Sequence, residues 1–275
     1  MLYAIDKLLG QFKYPPVDAI ARVAGVSEER AERHLKKLNE LKLVARYSGQ
    51  WIGYTLREMG YDIIALRTLV DRNVIEGIGS KIGIGKESDI FDAVTPKNDR
   101  VVIKFHRLGR ISFRQVLRKR GYADPSHHPS WYKLSKIAAR REYEALIRLF
   151  RAGVSVPKPI AYNRHAIVMG YIEGDPLVIC KVLPNPSEIL EAIVENVKRA
   201  YEVGIVHGDL SEYNIIITPS LKPLIIDWPQ YVERGSEQSE KLLERDIRYV
   251  VRFFNKRFKL DVDAKELLNY VKRGS

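Results

Sequence analysis

The run His207-Gly-Asp-Leu-Ser-Glu-Tyr-Asn214, followed by Leu224-Ile-Ile-Asp-Trp228, constrains this chain more than any other part of it. Two apolar triplets, Ile215-Ile-Ile217 and Leu224-Ile-Ile226, read as short buried strands. Asn214 stands just before the first, and Asp227 just after the second. Asp209 precedes Asn214 at the spacing D-x-x-x-x-N. A carboxylate can accept a proton, and an amide with a second carboxylate offers oxygen ligands of the kind Mg²⁺ takes. Each residue alone is more often a loop or cap residue. All three, in this order and flanked by these strands, are hard to assign to chance.

That layout is the one by which protein kinases position and neutralise a transferring phosphoryl group. On that pattern Asp209 accepts the proton of the attacking hydroxyl, and Asn214 and Asp227 hold the metal. The upstream sequence contains matching parts. Gly83 and Gly85 fall between two strand-like runs, where glycine lets backbone N–H groups approach phosphates. A lone G-x-G also fits an ordinary hairpin. Here Val101-Val-Ile-Lys104 follows, resembling the V-A-I-K pattern of a third kinase strand, and Lys104 would neutralise the α- and β-phosphates. Glu142, on the next helix, is the natural ion-pair partner of Lys104. Glu144 is the rival on another helical face, and a solvated Glu142 beside Arg140 and Arg141 is the bland alternative. Met169-Gly-Tyr-Ile-Glu-Gly174 resembles a hinge, able to bond adenine through Gly170 and Ile172 beside Met169.

Composition narrows the classes. Hydrophobic residues make up 45% of 275, enough for two modest domains with real cores. The one cysteine, Cys180, excludes an internal disulfide and a Cys-rich zinc site, and fits a reducing, cytoplasmic setting. No apolar run approaches the roughly 20 residues of a membrane helix, and the start does not read as a signal peptide. Net charge is +12, and residues 100–158 alone hold 15 basic and 3 acidic side chains. An excess this concentrated points to a polyanionic partner of the nucleic-acid kind. A solvated surface from a hot or salty habitat is disfavoured, because the rest of the chain is nearly balanced.

Residues 1–73 form the first expected domain. Val17, Ile20, Ala21 and Ala24 recur at helical spacing, Gly25 ends that helix, and Ser27 caps a second from Glu28 to Glu40. Two strands, 43–47 and 51–56, turn around Ser48-Gly-Gln50, and a helix over 57–71 follows. This is a helix-turn-helix with a wing, either holding nucleic acid or docking protein. Residues 74–275 form the second domain, with an N-lobe of about 74–168 and a C-lobe of about 172–275. Strands are expected over 74–84, 89–94, 100–105 and 166–172, and helices over 136–152 and 186–204, with two more closing the chain. Residues 106–135 read as an irregular basic and aromatic segment that includes Arg114, Arg118, Lys119, Arg120, Phe113, Tyr122, Trp131 and Tyr132. Such a loop could contact nucleic acid, and its ordering could move Glu142 toward Lys104.

The whole pattern resembles the RIO family of atypical protein kinases, in the subfamily with an N-terminal winged helix. The resemblance rests on Gly85-Lys-Glu-Ser88, on His207 to Asn214, and on Ile226-Asp-Trp-Pro-Gln230. It implies an α+β chain: a winged helix, then a minimal bilobal kinase-like domain. It also implies ATP with Mg²⁺ (or Mn²⁺) as cofactors and phosphate contacts from Lys104 and Ser88, with Lys86 in the phosphate loop. Asp209 is implied as catalytic base, with Asn214 and Asp227 on the metal. The expected activity is that of a serine/threonine protein kinase, or an ATPase with autophosphorylation. The implied partner is the small ribosomal subunit precursor with its rRNA. Ser88 replaces the third glycine of ordinary kinases, His207-Gly replaces His-Arg, and Asp-Trp-Pro replaces Asp-Phe-Gly. Only 48 residues follow Asp227, without Ala-Pro-Glu, which argues against peptide recognition of the usual kind. Two rivals stand beside this. Small-molecule kinases of the aminoglycoside and choline phosphotransferase type share the His-Gly-Asp and Ile-Asp-Trp patterns. A non-catalytic ribosome-assembly scaffold is the other.

Overall fold

A computed structural model describes residues 1–108 and 131–273. The chain separates into two compact units, Met1–Val74 and Ile75–Ser275.

The first unit opens with α1 (Leu2–Leu8), which the sequence pattern did not announce. α2 (Val17–Ala24) and α3 (Glu28–Glu40) follow; Ser27 Oγ accepts the Arg30 N–H at 3.3 Å and caps α3. α2 buries Val17, Ile20 and Ala21, and α3 buries Ala31 and Leu35, each set one turn apart on a single face. β1 (Val44–Ser48) and β2 (Ile52–Leu56) pair antiparallel with Tyr47 opposite Gly53. The Tyr47 ring stacks on Tyr14 at 4.7 Å, and Trp51 donates its ring N–H to the Tyr14 carbonyl. α4 (Glu58–Asp71) closes the unit with Tyr61, Ile64, Ala65 and Leu69 buried. The exposed side of α3 carries Arg30, Arg33, Lys36 and Lys37, but also Glu28, Glu29, Glu32 and Glu40.

The second unit begins with a five-stranded antiparallel sheet in the order β3-β4-β5-β7-β6. Its strands are β3 (Gly77–Ile84), β4 (Ser88–Val94), β5 (Arg100–His106), β6 (Pro159–Asn163) and β7 (Ala166–Gly170). β5 and β7 are interior strands with almost every residue buried, so β7 reads as an apolar run rather than an alternating one, and β5 buries Lys104 and His106 among its apolar residues. The expected strand over 74–84 starts three residues later, and that over 166–172 ends at Gly170; β6 was not foreseen. α5 (Trp131–Arg151) begins before residue 136, so 131–135 are helical rather than irregular. Tyr132 is buried, and with Trp131 it packs edge-on around the His165 ring. The buried Tyr132 ring is thus not the free stacking platform expected of the basic segment, and Trp131 is half-buried. Residues 109–130, which hold Phe113, Tyr122 and the Arg/Lys cluster, lie outside the described residues.

Past the hinge come β8 (Asp175–Pro176), α6 (Pro186–Glu202), β9 (Ile205–Val206), β10 (Ile215–Ile217), β11 (Pro223–Ile225) and β12 (Val232–Glu233). α7 (Glu237–Phe258) and α8 (Ala264–Lys272) complete the described chain. Ser236 and Ser239 cap α7 reciprocally, and Asp263 caps α8. One apolar cluster runs from Val102 and Ile167 in the sheet, through Leu146 and Leu149 of α5, to Ile193, Val250 and Phe254 of α6 and α7. The two lobes of this unit therefore share a core. Among the described residues no helix is long and apolar enough to cross a membrane.

Candidate active site

β10 and β11 explain why the two proposed metal ligands meet. Ile215 pairs with Ile225, so Asn214 and Ile226 flank the same end of the ladder, and the Ile226 N–H donates to the Asn214 carbonyl at 2.9 Å. Asp227 follows at once. Its backbone is left-handed, φ +68°, a conformation that Asp and Asn tolerate better than most residues. That turn aims its carboxylate back at the sheet, where Oδ1 accepts from Lys104 Nζ at 2.6 Å.

Lys104 and His106 sit two apart on β5 and so share a face. Both reach Glu142, which lies in the buried stripe of α5 with Ala138, Ala139, Ala145 and Leu146. Lys104 Nζ is 2.7 Å from Glu142 Oε1, and His106 Nε2 is 2.7 Å from Glu142 Oε2. The Trp228 N–H also donates to Oε1 at 3.2 Å. Glu142 thus joins the sheet, the helix and the loop carrying Asp227. Glu144 instead pairs with Arg140 at the surface. Glu142 is therefore already paired with Lys104 in this structure; the idea that the basic segment moves it rests on residues 109–130, which lie outside the described residues. Burial works to push the Lys104 ammonium down, but the charges of Asp227 and Glu142 outweigh it and raise its pKa. Burial likewise works to raise Glu142, while Lys104 and His106 pull it down to about 2. Both groups are held charged in a dry place.

Asp209 is exposed at the mouth of this arrangement. Its backbone N–H donates to His207 Nδ1 at 3.2 Å, so the His207 proton sits on Nε2, bonded to the Ile226 carbonyl at 3.0 Å. His207 packs at 4.4 Å on the buried Trp228 ring. Asn214 Nδ2 donates to the Asp209 carbonyl at 2.8 Å, which leaves Oδ1 to face a cation. Gln230 Nε2 approaches Asp209 Oδ2 at 3.3 Å. Gly208 has φ +75°, and a Cβ there would lie 3.1 Å from the Gln230 carbonyl oxygen, so a side chain such as arginine would be strained at this position. α7 holds the same turn: Asp246 Oδ2 accepts the Gly208 N–H at 2.8 Å, and Arg245 donates to the Gly208 carbonyl. Burial raises the Asp246 carboxyl above its ordinary value, against the pull of His207, Arg245 and that N–H.

Gly83, Gly85, Lys86 and Ser88 occupy the end of the β3–β4 hairpin. The Gly85 N–H donates to the Ser88 carbonyl at 2.8 Å, and Lys86 is exposed. Neither glycine has positive φ, so small size and not backbone freedom is what they contribute. Asp89, just past the turn, is buried against Arg107 Nε at 3.1 Å and takes Lys81 at 3.3 Å. In the hinge, Met169 is buried in the core, and the Gly170 N–H is taken by the Lys158 carbonyl at 2.9 Å. Arg100 covers Tyr171 at 3.6 Å.

Sequence reasoning missed His106, Gln230, Arg245 and Asp246. His106 had a signal, since it sits two strand positions after Lys104. Asp246 and Arg245 had none, lying 37 and more residues from the turn they hold. Among the described residues no three His, Cys, Asp or Glu side chains cluster as a metal cage. One carboxylate and one amide fit Mg²⁺, which usually takes one or two protein carboxylates and completes its shell with phosphate and water.

The model of the RIO domain matches residues 89–267, and that of the Rio2 N-terminal region matches residues 1–72. The RIO-type serine/threonine-protein kinase Rio2 of Methanocaldococcus jannaschii is 38% identical over 94% of this chain and 98% of its own length. The Dictyostelium discoideum serine/threonine-protein kinase rio2 is 35% identical over 94% of this chain, which spans 49% of that longer protein. The crystal structure of the Rio2 kinase–ADP/Mg²⁺–phosphoaspartate complex from Chaetomium thermophilum superposes with a TM-score of 0.85 at 33% identity, over 99% of this chain and 85% of that one. With both of its regions matched, in order, the chain belongs to the RIO family of serine/threonine-protein kinases, as a member of the Rio2 type.

Proposed function

We propose that this kinase transfers the γ-phosphoryl group of Mg·ATP through the cleft between β5 and the Asp209–Asp227 loops, in the service of small ribosomal subunit maturation in the cytoplasm. The carrying observation is the meeting of Lys104, Glu142 and Asp227 within 2.7 Å contacts, across 123 residues of sequence. In this reading Asp209 accepts the proton of the attacking hydroxyl, with Gln230 orienting its carboxylate. Lys104, fixed by Glu142, faces the α- and β-phosphates, and the turn with Gly83, Gly85, Lys86 and Ser88 covers them. Because the Gly170 N–H is engaged, the adenine contact there falls to its carbonyl, with Ile172 offering the second. Asn214 Oδ1 and the Asp227 carboxylate would hold Mg²⁺, which neutralises phosphate charge when bound.

A second outcome of the same site is favoured by two observations. Only residues 229–236 separate Trp228 from α7, too short a stretch for an extended peptide-binding segment. The similar C. thermophilum structure is described as containing phosphoaspartate. ATP hydrolysis would then run in two steps: a carboxylate oxygen attacks Pγ with release of ADP, and water later cleaves the acyl phosphate. The ribosomal part rests on the basic excess in 100–158. Incubation with γ-labelled ATP and Mg²⁺, with and without small-subunit precursors, tests the whole. Acid-stable label on Ser or Thr marks protein kinase action, and hydroxylamine-labile label with free phosphate marks hydrolysis. Absence of both, at every particle concentration, would leave a scaffold.

A further inference from the structure

We infer that His106 is a positioning residue for the nucleotide-binding lysine, acting through Glu142; the inference rests on the kinase reading above and deepens it. Glu142 has two carboxylate oxygens with different work. Oε1 faces Lys104 at 2.7 Å and the Trp228 N–H at 3.2 Å, and Oε2 faces only the His106 ring at 2.7 Å among the bonds described. His106 is 1% exposed, and so is Glu142. At that burial, bulk solvent cannot substitute for the imidazole at Oε2. The Glu142 side chain ends in a torsion with a broad, soft energy well, so its carboxylate plane is set by its partners and not by rotamer preference. Remove the His106 bond, and the plane turns to satisfy Oε2 elsewhere. Oε1 then leaves the line from Lys104 to the Trp228 N–H.

The ring is itself fixed for this task. Its backbone N–H donates to the His165 carbonyl at 2.9 Å, and the next residue, Arg107, is anchored in Asp89 at 3.1 Å. The Leu108 N–H donates to Ser135 Oγ at 3.0 Å, which ties this strand end to α5 two turns before Glu142. Nδ1 of His106 is buried with no hydrogen-bond partner. A bare Nδ1 lone pair is the cheaper atom to leave unpaired than an N–H, so the ring hydrogen goes to Nε2, where it meets Oε2. A leucine of similar bulk would avoid the unpaired nitrogen but would leave Oε2 of Glu142 without its hydrogen bond.

The test uses the full chain and the β,γ-imido analogue of ATP with Mg²⁺ as probe, measured by titration calorimetry beside kcat and KM for ATP. His106→Leu should weaken analogue binding and raise KM by about 10–100-fold, the usual effect of removing the group that orients a ligand residue. His106→Gln, whose amide N–H can still reach Oε2, should stay within about threefold of wild type on the same scale. Both should melt cooperatively. Leucine binding as well as wild type, or glutamine as poorly as leucine, would overturn the inference. Should the leucine variant not fold, His106→Asn replaces it; its amide is too short to reach Oε2, and equal binding by the Asn and Gln variants overturns the inference as well. Lys104→Ala is the reference. If it binds the analogue like wild type, the nucleotide reading itself falls and takes this inference with it. If it loses binding while His106→Leu keeps it, only the role of His106 falls.

Discussion

A glutamate inside an apolar helix stripe needs partners, and Glu142 has three. Removing it strands Lys104 beside an Asp227 that is 40% exposed and partly screened by solvent. Glu142→Ala should therefore lower stability by about 3–5 kcal/mol, the range for breaking a buried ion pair, as read from denaturant midpoints. The pH dependence has a definite sign. Glu142 is lowered from 4.5 to about 2 on folding, so its contribution is complete above the unfolded value. It is lost as pH falls from about 4.5 toward 2, because the unfolded chain takes up the proton first. Glu142→Gln should flatten that window in a urea series across pH, and an unchanged slope would contradict the pairing. Asp227 calls for a gentler change than alanine, which would strain a φ of +68°. Asp227→Asn keeps the turn and removes the charge; Mg·ATP use should fall at least about tenfold with melting little altered, and normal turnover would count against its metal role. That Lys104 would meet Asp227, and Asn214 the Asp209 turn, was legible in the sequence, because strand-flanked polar residues at fixed spacing leave few alternatives. The choice of Glu142 over Glu144 was legible too. Leu134, Ala138, Glu142, Ala145 and Leu149 recur at helical spacing, and Glu144 falls off that stripe.

Strands and helices with strong periodicity were read closely, and their ends were not. α5 starts at Trp131 because Leu134, Ser135 and Ala138 continue its buried face, whereas the flanking basic run suggested a loop. β6 escaped notice because Pro159 opens it and its residues are mostly half-buried, so no alternation marks it. The two-residue ladders escaped because pairing so short depends on contacts distant in sequence. Gly174 shows what such contacts demand. Its φ is +150°, and a Cβ there would collide with the Ile217 carbonyl oxygen on β10. Gly174→Ala should destabilise by about 1–3 kcal/mol and loosen the hinge, and a melting temperature equal to wild type would refute the close approach. The basic segment makes a separate prediction. Replacing Arg114, Arg118, Lys119 and Arg120 by Ala should weaken binding to small-subunit precursors. It should also reduce the slope of log affinity against log salt, by up to about 0.7–0.9 for each phosphate no longer neutralised. Unchanged slope and affinity would remove this segment and leave the winged helix as the RNA-contact candidate.

The switch between helical and strand periodicity near residue 74 was readable in the sequence, and the α+β class is the one that the family resemblance implied. The shared core of the two lobes was not legible. It arises because one apolar cluster takes in α5, the sheet and the C-terminal helices together, a matter of packing and not of pattern. That core makes the cleft a fixed meeting place, where Lys104 from the sheet and Asp227 from the far lobe touch directly. The central claim is that this meeting place performs phosphoryl transfer with Asp209 as its base. The direct measurement is release or transfer of the γ-phosphoryl group by wild type and Asp209→Asn, with nucleotide affinity measured on the same samples. Turnover should fall by about 10²–10⁴-fold, since an amide keeps the shape of the carboxylate but cannot take the proton, while affinity for Mg·ATP stays close to wild type. Turnover unchanged in Asp209→Asn, or lost only because nucleotide no longer binds, would contradict the claim.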